Sequence, residues 1–417
     1  MPLSTPEPQS AAASRDTVFL ARQPILDRHG RVRAYELLYR GGGSDFGLAS
    51  DAPDAATARV VHAAIMSVGL ETLTPGCPAF LNVTRNLLMG DLGALLPSGS
   101  VVLEVLETVD VDDGVVERCR ELHGMGYALA LDDFVPGSPA ERLFPFAQYV
   151  KVDVLSLDAA ARREVIRAAP GHLRMLAEKV ETAEVHAATL AEGFELFQGY
   201  YFCRPSTFHA RDMSLQQSTS LRLLAALNRP NVTVTELDDL IKRDVSLCQR
   251  LLRYANSAAL GVSQRVHSIR QALMLIGQDQ VRRWISVWAL TGLSGSGVSE
   301  VMTMAAVRAR CCEKLGAKVL GVESSGALFL LGLCSMLDVL LERPMEDVLR
   351  AVSLPERTTD ALRGYANAER TLLDAVIAYE RGDWEQAAST CCQLGIRVSD
   401  IPPVYAEALA WATDLRQ

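Results

Sequence analysis

Between Val18 and Pro205 the chain alternates short apolar runs with stretches of helical periodicity. Apolar, β-rich runs fall at 18–25, 32–39, 78–83, 101–106, 127–132, 148–153, 173–177 and 195–201. Between them Ala55–Leu70, Val115–Met125, Ala159–Ala169 and Ala183–Ala191 repeat apolar residues at helical spacing. This alternation predicts a parallel α/β sheet or a (β/α) barrel. The first pair of runs differs, because only Asp27–Gly30 separates them. That connection is too short for a parallel crossover and predicts an antiparallel hairpin.

After Pro205 the strand pattern stops. Helical periodicity marks Leu215–Leu227, Val234–Arg243, Ser246–Asn256, Ser268–Leu275 and Gln278–Leu290, then Val301–Val319, Ser325–Leu341, Met345–Val352, Leu354–Leu362, Glu369–Arg381 and Pro403–Leu415. Thr233 with Glu236, and Ser268 ahead of its apolar run, read as helix N-caps. The pattern predicts a flexible tail at 1–15, an α/β domain at 16–207 and an all-helical domain at 208–417. Their boundary falls near 206–212, where apolar periodicity lapses.

The apolar runs of the first half share a second property. AYELLYR (34–40), AFLNVT (79–84), VVLEVLE (101–107), ALALDDF (128–134), YVKVD (149–153), RMLAEKVE (174–181) and FELFQGYYF (194–202) each end in polar groups suited to metal or phosphate. Parallel barrel strands present their C-terminal ends at one mouth, so these groups would converge. Glu36, Asn82, Glu104, Asp132 and Asp133 are the oxygen donors that hard divalent cations require. Asp132 is placed to bridge two ions, with Asp133 and Glu178 completing the second. Such a pair hydrolyses phosphodiesters by activating a water and neutralising the phosphate. Lys151 would orient that water or carry phosphate charge.

Composition narrows the setting. No apolar stretch approaches the ~20 residues of a membrane span. A net charge of −9 disfavours broad electrostatic attachment to nucleic acid but leaves a small anionic ligand open. Met1–Ser14 lacks the basic and apolar blocks of a signal peptide. The nine cysteines, with adjacent pairs at Cys311–Cys312 and Cys391–Cys392, include no CxxC and no zinc spacing. They read as buried, reduced thiols of a cytoplasmic protein.

In order along the chain, Glu36-Leu37-Leu38-Tyr39-Arg40, Asn82, Glu104, Asp132-Asp133-Phe134, Lys151-Val152-Asp153, Ala177-Glu178-Lys179-Val180-Glu181 and Gln198-Gly199-Tyr200 resemble the EAL domain of bacterial cyclic-di-GMP phosphodiesterases. The resemblance covers residues 18–205. It implies a modified TIM-type barrel with an antiparallel first strand and metal-dependent hydrolysis of cyclic-di-GMP to linear pGpG. It also implies Mg²⁺ or Mn²⁺ as cofactor and a homodimer. By the same resemblance Glu36, Asn82, Glu104, Asp132, Asp133 and Glu178 are metal ligands, and Lys151 positions the water. Gln23, Arg40 and Gln198 lie near the dinucleotide, while Glu181 and Glu107 are supporting carboxylates.

Three departures stand beside it. The loop after the aspartate pair, usually close to DFGTGYSSL, reads Asp133-Phe134-Val135-Pro136-Gly137-Ser138-Pro139-Ala140-Glu141. Leu37 replaces the small middle residue of the EAL triplet, and Lys179 replaces the glycine of AEGVE. The connections between elements are also short for the family. Two readings therefore remain, an active phosphodiesterase and a catalytically silent cyclic-di-GMP receptor or scaffold.

The helical half resembles the HDOD domain, a relative of the HD hydrolases, through Leu240–Leu247, Leu252–Ser257, Ser268–Ala272 with Leu275–Gly277, and Leu331–Asp338. Cys334 and Ser335 stand where an HD enzyme would place its His-Asp pair. Beyond the boundary residue His209 this half holds a single histidine, His267, so an HD metal centre cannot be built. The half is expected to be non-catalytic and to bind another signalling protein. Trp284, Trp288, Trp384 and Trp411 lie on helical patterns and read as core or a docking face.

Overall fold

The computed structural model describes residues 18–41, 69–90, 96–199, 220, 223–224, 226–227, 232–242, 245–256, 266–291, 300–341, 343–352 and 354–414. The expected tail at 1–15, most of the helix Ala55–Leu70, His209 and the boundary at 206–212 lie outside them. Most of the helix Leu215–Leu227 does as well.

Eight strands close into a barrel in sequence order. They are β1 Val18–Asp27, β2 Val32–Gly41, β3 Ala79–Val83, β4 Val101–Val105, β5 Ala128–Leu131, β6 Tyr149–Asp153, β7 Arg174–Glu178 and β8 Leu196–Phe197. β1 runs antiparallel to both β2 and β8, and the remaining neighbours are parallel. The hairpin read from the short 27–30 connection is therefore present. The helices Asp113–Gly124, Ala159–Ala168 and Ala183–Glu192 follow β4, β6 and β7, each N-capped by a side chain, from Asp112, Asp158 and Thr182.

The hairpin is organised by Asp27. Its carboxylate accepts from the His29 and Arg31 amides at 2.8 and 3.1 Å and from the Arg31 and Arg33 side chains at 3.0 and 2.9 Å. Burial alone would raise its pKa, but these donors outweigh it and hold the group down at about 2. The folded value lies below the unfolded one, so this stabilisation is complete above pH ~4 and is lost as pH falls through about 2. Asp27→Asn should cost on the order of 2 kcal/mol at neutral pH. In acid titrations followed by circular dichroism, the variant should converge on wild type as pH falls through that window. A constant offset at every pH would contradict the assignment.

A layer of Ile25, Ala34, Phe80, Val102, Ala130, Leu176 and Leu196 fills the barrel interior, with Tyr149 packed against it. Side chains on one face of a strand recur every second residue. The next inward positions toward the mouth are therefore Glu36, Asn82, Glu104, Asp132, Lys151, Glu178 and Gln198. On β1, which runs the other way, the equivalent step from Ile25 is back to Gln23. Each of the eight strands thus sends one polar residue to the layer above the apolar one.

Contacts divide the chain into two compact units, Met1–Gly199 with Asp374–Ala410, and Tyr200–Leu373 with Trp411–Gln417. The segment 374–410, which periodicity assigns to the helical half, thus belongs with the barrel. Phe19 of β1 packs on Tyr379 and Trp384, and the Tyr379 hydroxyl bonds to both Leu20 backbone groups. The helix Trp384–Leu394 goes unread in the apolar pattern, although Asp383 caps its start and Gly395 its end.

The second unit is helical throughout its described residues. Thr233 and Glu236 bond reciprocally at one helix start, and Ser268 with Gln271 forms a full capping box at another. Trp284 and Trp288 are buried in its core, while Trp384 belongs to the barrel unit. Glu300–Leu320 and Ser325–Cys334 cross so closely that a Cβ on Gly332 would lie 2.4 Å from the Ala309 nitrogen. The expected continuous helix Ser325–Leu341 breaks at Ser335, whose hydroxyl bonds to the Gly332 carbonyl and competes with the helical pattern. Cys119, Cys311, Cys312, Cys334 and Cys391 are buried. Burial pushes the Cys334 thiol up to about 12, which leaves it inert at neutral pH.

Candidate active site

Lys151 occupies the centre of the polar layer and is 1% exposed. Its ammonium lies 2.7 Å from Glu178, 3.2 Å from Asp132 and 3.5 Å from Glu36, and it contacts Glu104 directly. The Asn82 amide donates to Glu36 Oε1 at 3.1 Å, and the Gln198 amide donates to Glu36 Oε2 at 2.6 Å. Gln198 Nε2 also donates to Gln23 Oε1 at 2.9 Å. Gln23, Glu36, Asn82, Glu104, Asp132, Lys151, Glu178 and Gln198 are thereby gathered into one connected network.

Asp133 enters the site by a different route. β5 ends at Leu131, and alternation would turn Asp133 away from the barrel axis. A backbone φ of +39° at Asp133 bends it back. Its carboxylate then falls, with those of Asp132 and Glu178, in a group whose ligand atoms lie within 4.8 Å of one another. Phe134, the next residue, is anchored on both its backbone and its ring. The Phe134 amide donates to the Lys151 carbonyl at 3.0 Å, and its buried ring packs on Phe144. The Gly137 amide donates to Glu141 at 2.6 Å, and Pro139 opens a short 3₁₀ helix through Leu143.

Lys179, in the place of a family glycine, has φ +55°, the left-handed region that glycine adopts without strain. Its ammonium pairs with Asp153 at 2.7 Å. That ion pair and the bond from the Tyr39 hydroxyl to the Asn82 carbonyl at 2.5 Å brace neighbouring strand ends. Motif matching assigns a role to neither. Gly199 is needed for close approach, since a Cβ there would lie 2.3 Å from the Val180 nitrogen.

Not every expected residue joins the cluster. Glu181 is exposed on the turn after β7, and among the described residues no hydrogen bond or ion pair ties it to Lys151 or its partners. Glu107 is exposed and lines, with Asp132, Asp133 and Phe134, a pocket of about 410 Å³ between the loops after β4 and β5. The side chain of Arg40 lies outside the described residues.

Four carboxylates, those of Glu36, Glu104, Asp132 and Glu178, share the Lys151 ammonium, and Asp133 adds a fifth negative group beside them. Burial and then the Glu36 charge push Glu104 well above the carboxylate range, and burial with Glu36 and Asp132 lifts Glu178 to about 8. Burial would lower Lys151, but Glu36, Glu104, Glu178 and Asp132 together carry it well above its ordinary value. Asp133 is raised by burial and by Asp132. Asn82 Oδ1, Glu104 Oε2 and Asp133 Oδ1 are buried oxygens without a hydrogen-bond partner. Orphaned hard oxygens in a site with excess negative charge fit divalent cations.

The helical unit presents no comparable group among its described residues. Where an HD enzyme would hold metal, the Arg308 guanidinium is buried against Met336 Sδ at 2.9 Å and Ser335 Oγ at 3.4 Å.

Comparison with known proteins is consistent with both halves. The HDOD domain family matches residues 214–359. An uncharacterized protein of Bacillus subtilis, YuxH, is 33% identical over 409 residues, covering 95% of this chain and 98% of its own. The chain belongs to the EAL–HDOD family. CdgJ of Vibrio cholerae, named a cyclic di-GMP phosphodiesterase, is 32% identical over 406 residues, 96% of this chain and 94% of that protein. Among solved structures, BlrP1 of Klebsiella pneumoniae in complex with manganese and cyclic-di-GMP is 23% identical over 45% of this chain and 56% of its own, at TM-score 0.38. No described helix of this EAL–HDOD protein is long and apolar enough to cross a membrane.

Proposed function

We propose that this EAL–HDOD protein binds cyclic-di-GMP at the barrel mouth and hydrolyses one of its phosphodiester bonds to give linear pGpG. The observation that carries this reading is the layer of eight inward polar residues, one per strand, with orphaned oxygens on Asn82, Glu104 and Asp133. Glu36, Asn82, Glu104 and Asp132 would hold one divalent cation, and Asp132, Asp133 and Glu178 a second. Bound Mg²⁺ or Mn²⁺ would supply an activated water and neutralise charge on the phosphate. Lys151, charged and held by four carboxylates, orients the nucleophile and meets developing negative charge. By the family resemblance Gln23, Gln198 and Arg40 would contact the dinucleotide. Glu107 and Glu181 border the site as supporting carboxylates.

The rewritten 135–141 loop is the departure that bears most on turnover, and the Asp132–Asp133 pair is held ahead of it. What the site needs from that segment is a fixed Asp132–Asp133 pair, and Phe134 supplies the anchor through its amide and its ring. A homodimer and protein recognition by the HDOD half, stripped of HD ligands, complete the proposed signalling role. Incubating purified protein with cyclic-di-GMP and Mn²⁺ or Mg²⁺, and following pGpG by chromatography, tests the reading. Micromolar binding without product would leave a receptor.

Metal binding carries its own signature. Glu104 and Glu178 are raised, so without metal the cluster holds protons near neutral pH, and cations must displace them. Mn²⁺ affinity should therefore strengthen as pH rises from 6 to about 8. Calorimetry in buffers of different ionisation enthalpy should record proton release. A pH-independent affinity with no released proton would mean that the ion binds elsewhere.

A further inference from the structure

The barrel seam between β1 and β8 holds by two register pairs, Leu26 with Phe197 and Asp27 with Leu196. Toward the mouth β1 continues from Ile25 to Val18 with no described strand on that side. The segment 374–410 takes that place. The Tyr379 hydroxyl accepts from the Leu20 amide at 3.2 Å and donates to the Leu20 carbonyl at 3.1 Å, as a neighbouring strand would. Gly382, at φ +73°, lies so close to β2 that a Cβ would stand 2.7 Å from Leu38 Cδ1. Between these contacts, the Arg381 carbonyl accepts a hydrogen bond from Gln23 Nε2 at 3.3 Å.

That bond has a directional consequence. A carbonyl only accepts, so it turns the Gln23 amide with Nε2 outward and Oε1 inward. Gln23 Oε1 then takes one proton of Gln198 Nε2, and Glu36 Oε2 takes the other. Gln198 Oε1 is left buried with no partner, an acceptor open to an N–H or O–H donor on a ligand. Reversing Gln23 would set two carbonyl oxygens against each other and two amide nitrogens face to face.

We infer that the Arg381–Gly382 turn is a positioning element of the barrel site, acting through Gln23 to orient Gln198 toward the dinucleotide. The inference rests on the cyclic-di-GMP reading above and adds to it a route by which chain continuous with the helical unit sets ligand recognition. Arg381 touches neither metal nor substrate; its carbonyl works by fixing which way two amides face.

Hydrogen exchange on the full chain, with and without Mn²⁺, tests the coupling, because linkage makes it reciprocal. The ion should slow exchange around Asp132–Phe134 and also at 381–383, whose amides bond to the Ile377, Tyr379 and Ala378 carbonyls. In Gln23→Ala the first effect should persist and the second vanish. Gly382→Ala, which strains the turn at its φ of +73° and presses on Leu38, should raise KM for cyclic-di-GMP about tenfold, the loss of one oriented hydrogen bond, with kcat nearly unchanged. Should Gly382→Ala fail to fold, Tyr379→Phe, which keeps the ring and frees Leu20, should shift KM in the same direction. Slowing at 132–134 without any at 381–383, or an unchanged KM in the folded variant, overturns the inference and leaves the site reading intact. Slowing at neither segment removes the metal site, and the inference with it.

Discussion

Replacing Lys151 by methionine is expected to lower pGpG formation about a thousandfold and to destabilise the metal-free protein by roughly 3–5 kcal/mol. The side chain is fully buried, and its ammonium is the counter-charge for Glu36, Glu104, Asp132 and Glu178. Methionine fills similar space, so packing is retained while the four carboxylates lose their partner. They respond by taking up protons, which leaves them poorer ligands at neutral pH. Added Mn²⁺ should recover much of the melting temperature, because the ion replaces the lost positive charge, but not the turnover. Lys151→Arg tests geometry separately: charge is kept, yet a planar guanidinium does not fit the point position among four carboxylates. Activity within a few-fold of wild type in Lys151→Met would remove the lysine from the mechanism. Thermal melts with and without metal, alongside product chromatography, give both readings on one preparation.

Gly199→Ala should be as damaging by a wholly different cause. The added Cβ would stand 2.3 Å from the Val180 nitrogen and 2.4 Å from its oxygen, and both are backbone atoms that cannot step aside. The end of β8 must then move away. That breaks the bond from the Val180 amide to the Gln198 carbonyl at 3.0 Å and withdraws the Gln198 side chain from Glu36. A loss of more than about 3 kcal/mol is expected, together with weakened cyclic-di-GMP binding in whatever fraction folds. Gly137→Ala is the matched control. Its φ is also left-handed, at +77°, but nothing lies within 4 Å of the new Cβ, so only the backbone penalty of about 1–2 kcal/mol remains. Denaturant unfolding of the two variants should separate them clearly, and equal effects would show that contact with Val180 is not the cause.

The eight strands and seven members of the polar layer were legible in the sequence as apolar runs with polar ends, whereas Gln23 entered only through the family resemblance. An apolar residue facing the barrel axis fixes the face of the residue two positions on, and the eight polar positions all obey that step. Asp133 obeys no such rule. Its place in the site depends on a φ of +39°, a backbone property with no mark in the residue types. Lys179 is similar, since the family glycine there signals a left-handed turn that this chain makes with lysine and steadies through Asp153. The contribution of 374–410 was hidden for another reason. Amphipathic periodicity reports that a helix has a buried face but not which core buries it, so a helical pair read as part of the second domain docks on β1.

The most direct test of the central claim is a crystal of the protein grown with Mn²⁺ and cyclic-di-GMP, measured at the manganese edge. The account predicts two anomalous peaks about 3.5–4 Å apart, ligated by Glu36, Asn82, Glu104, Asp132, Asp133 and Glu178. No peak at the barrel mouth, or peaks whose ligands exclude these residues, would contradict it.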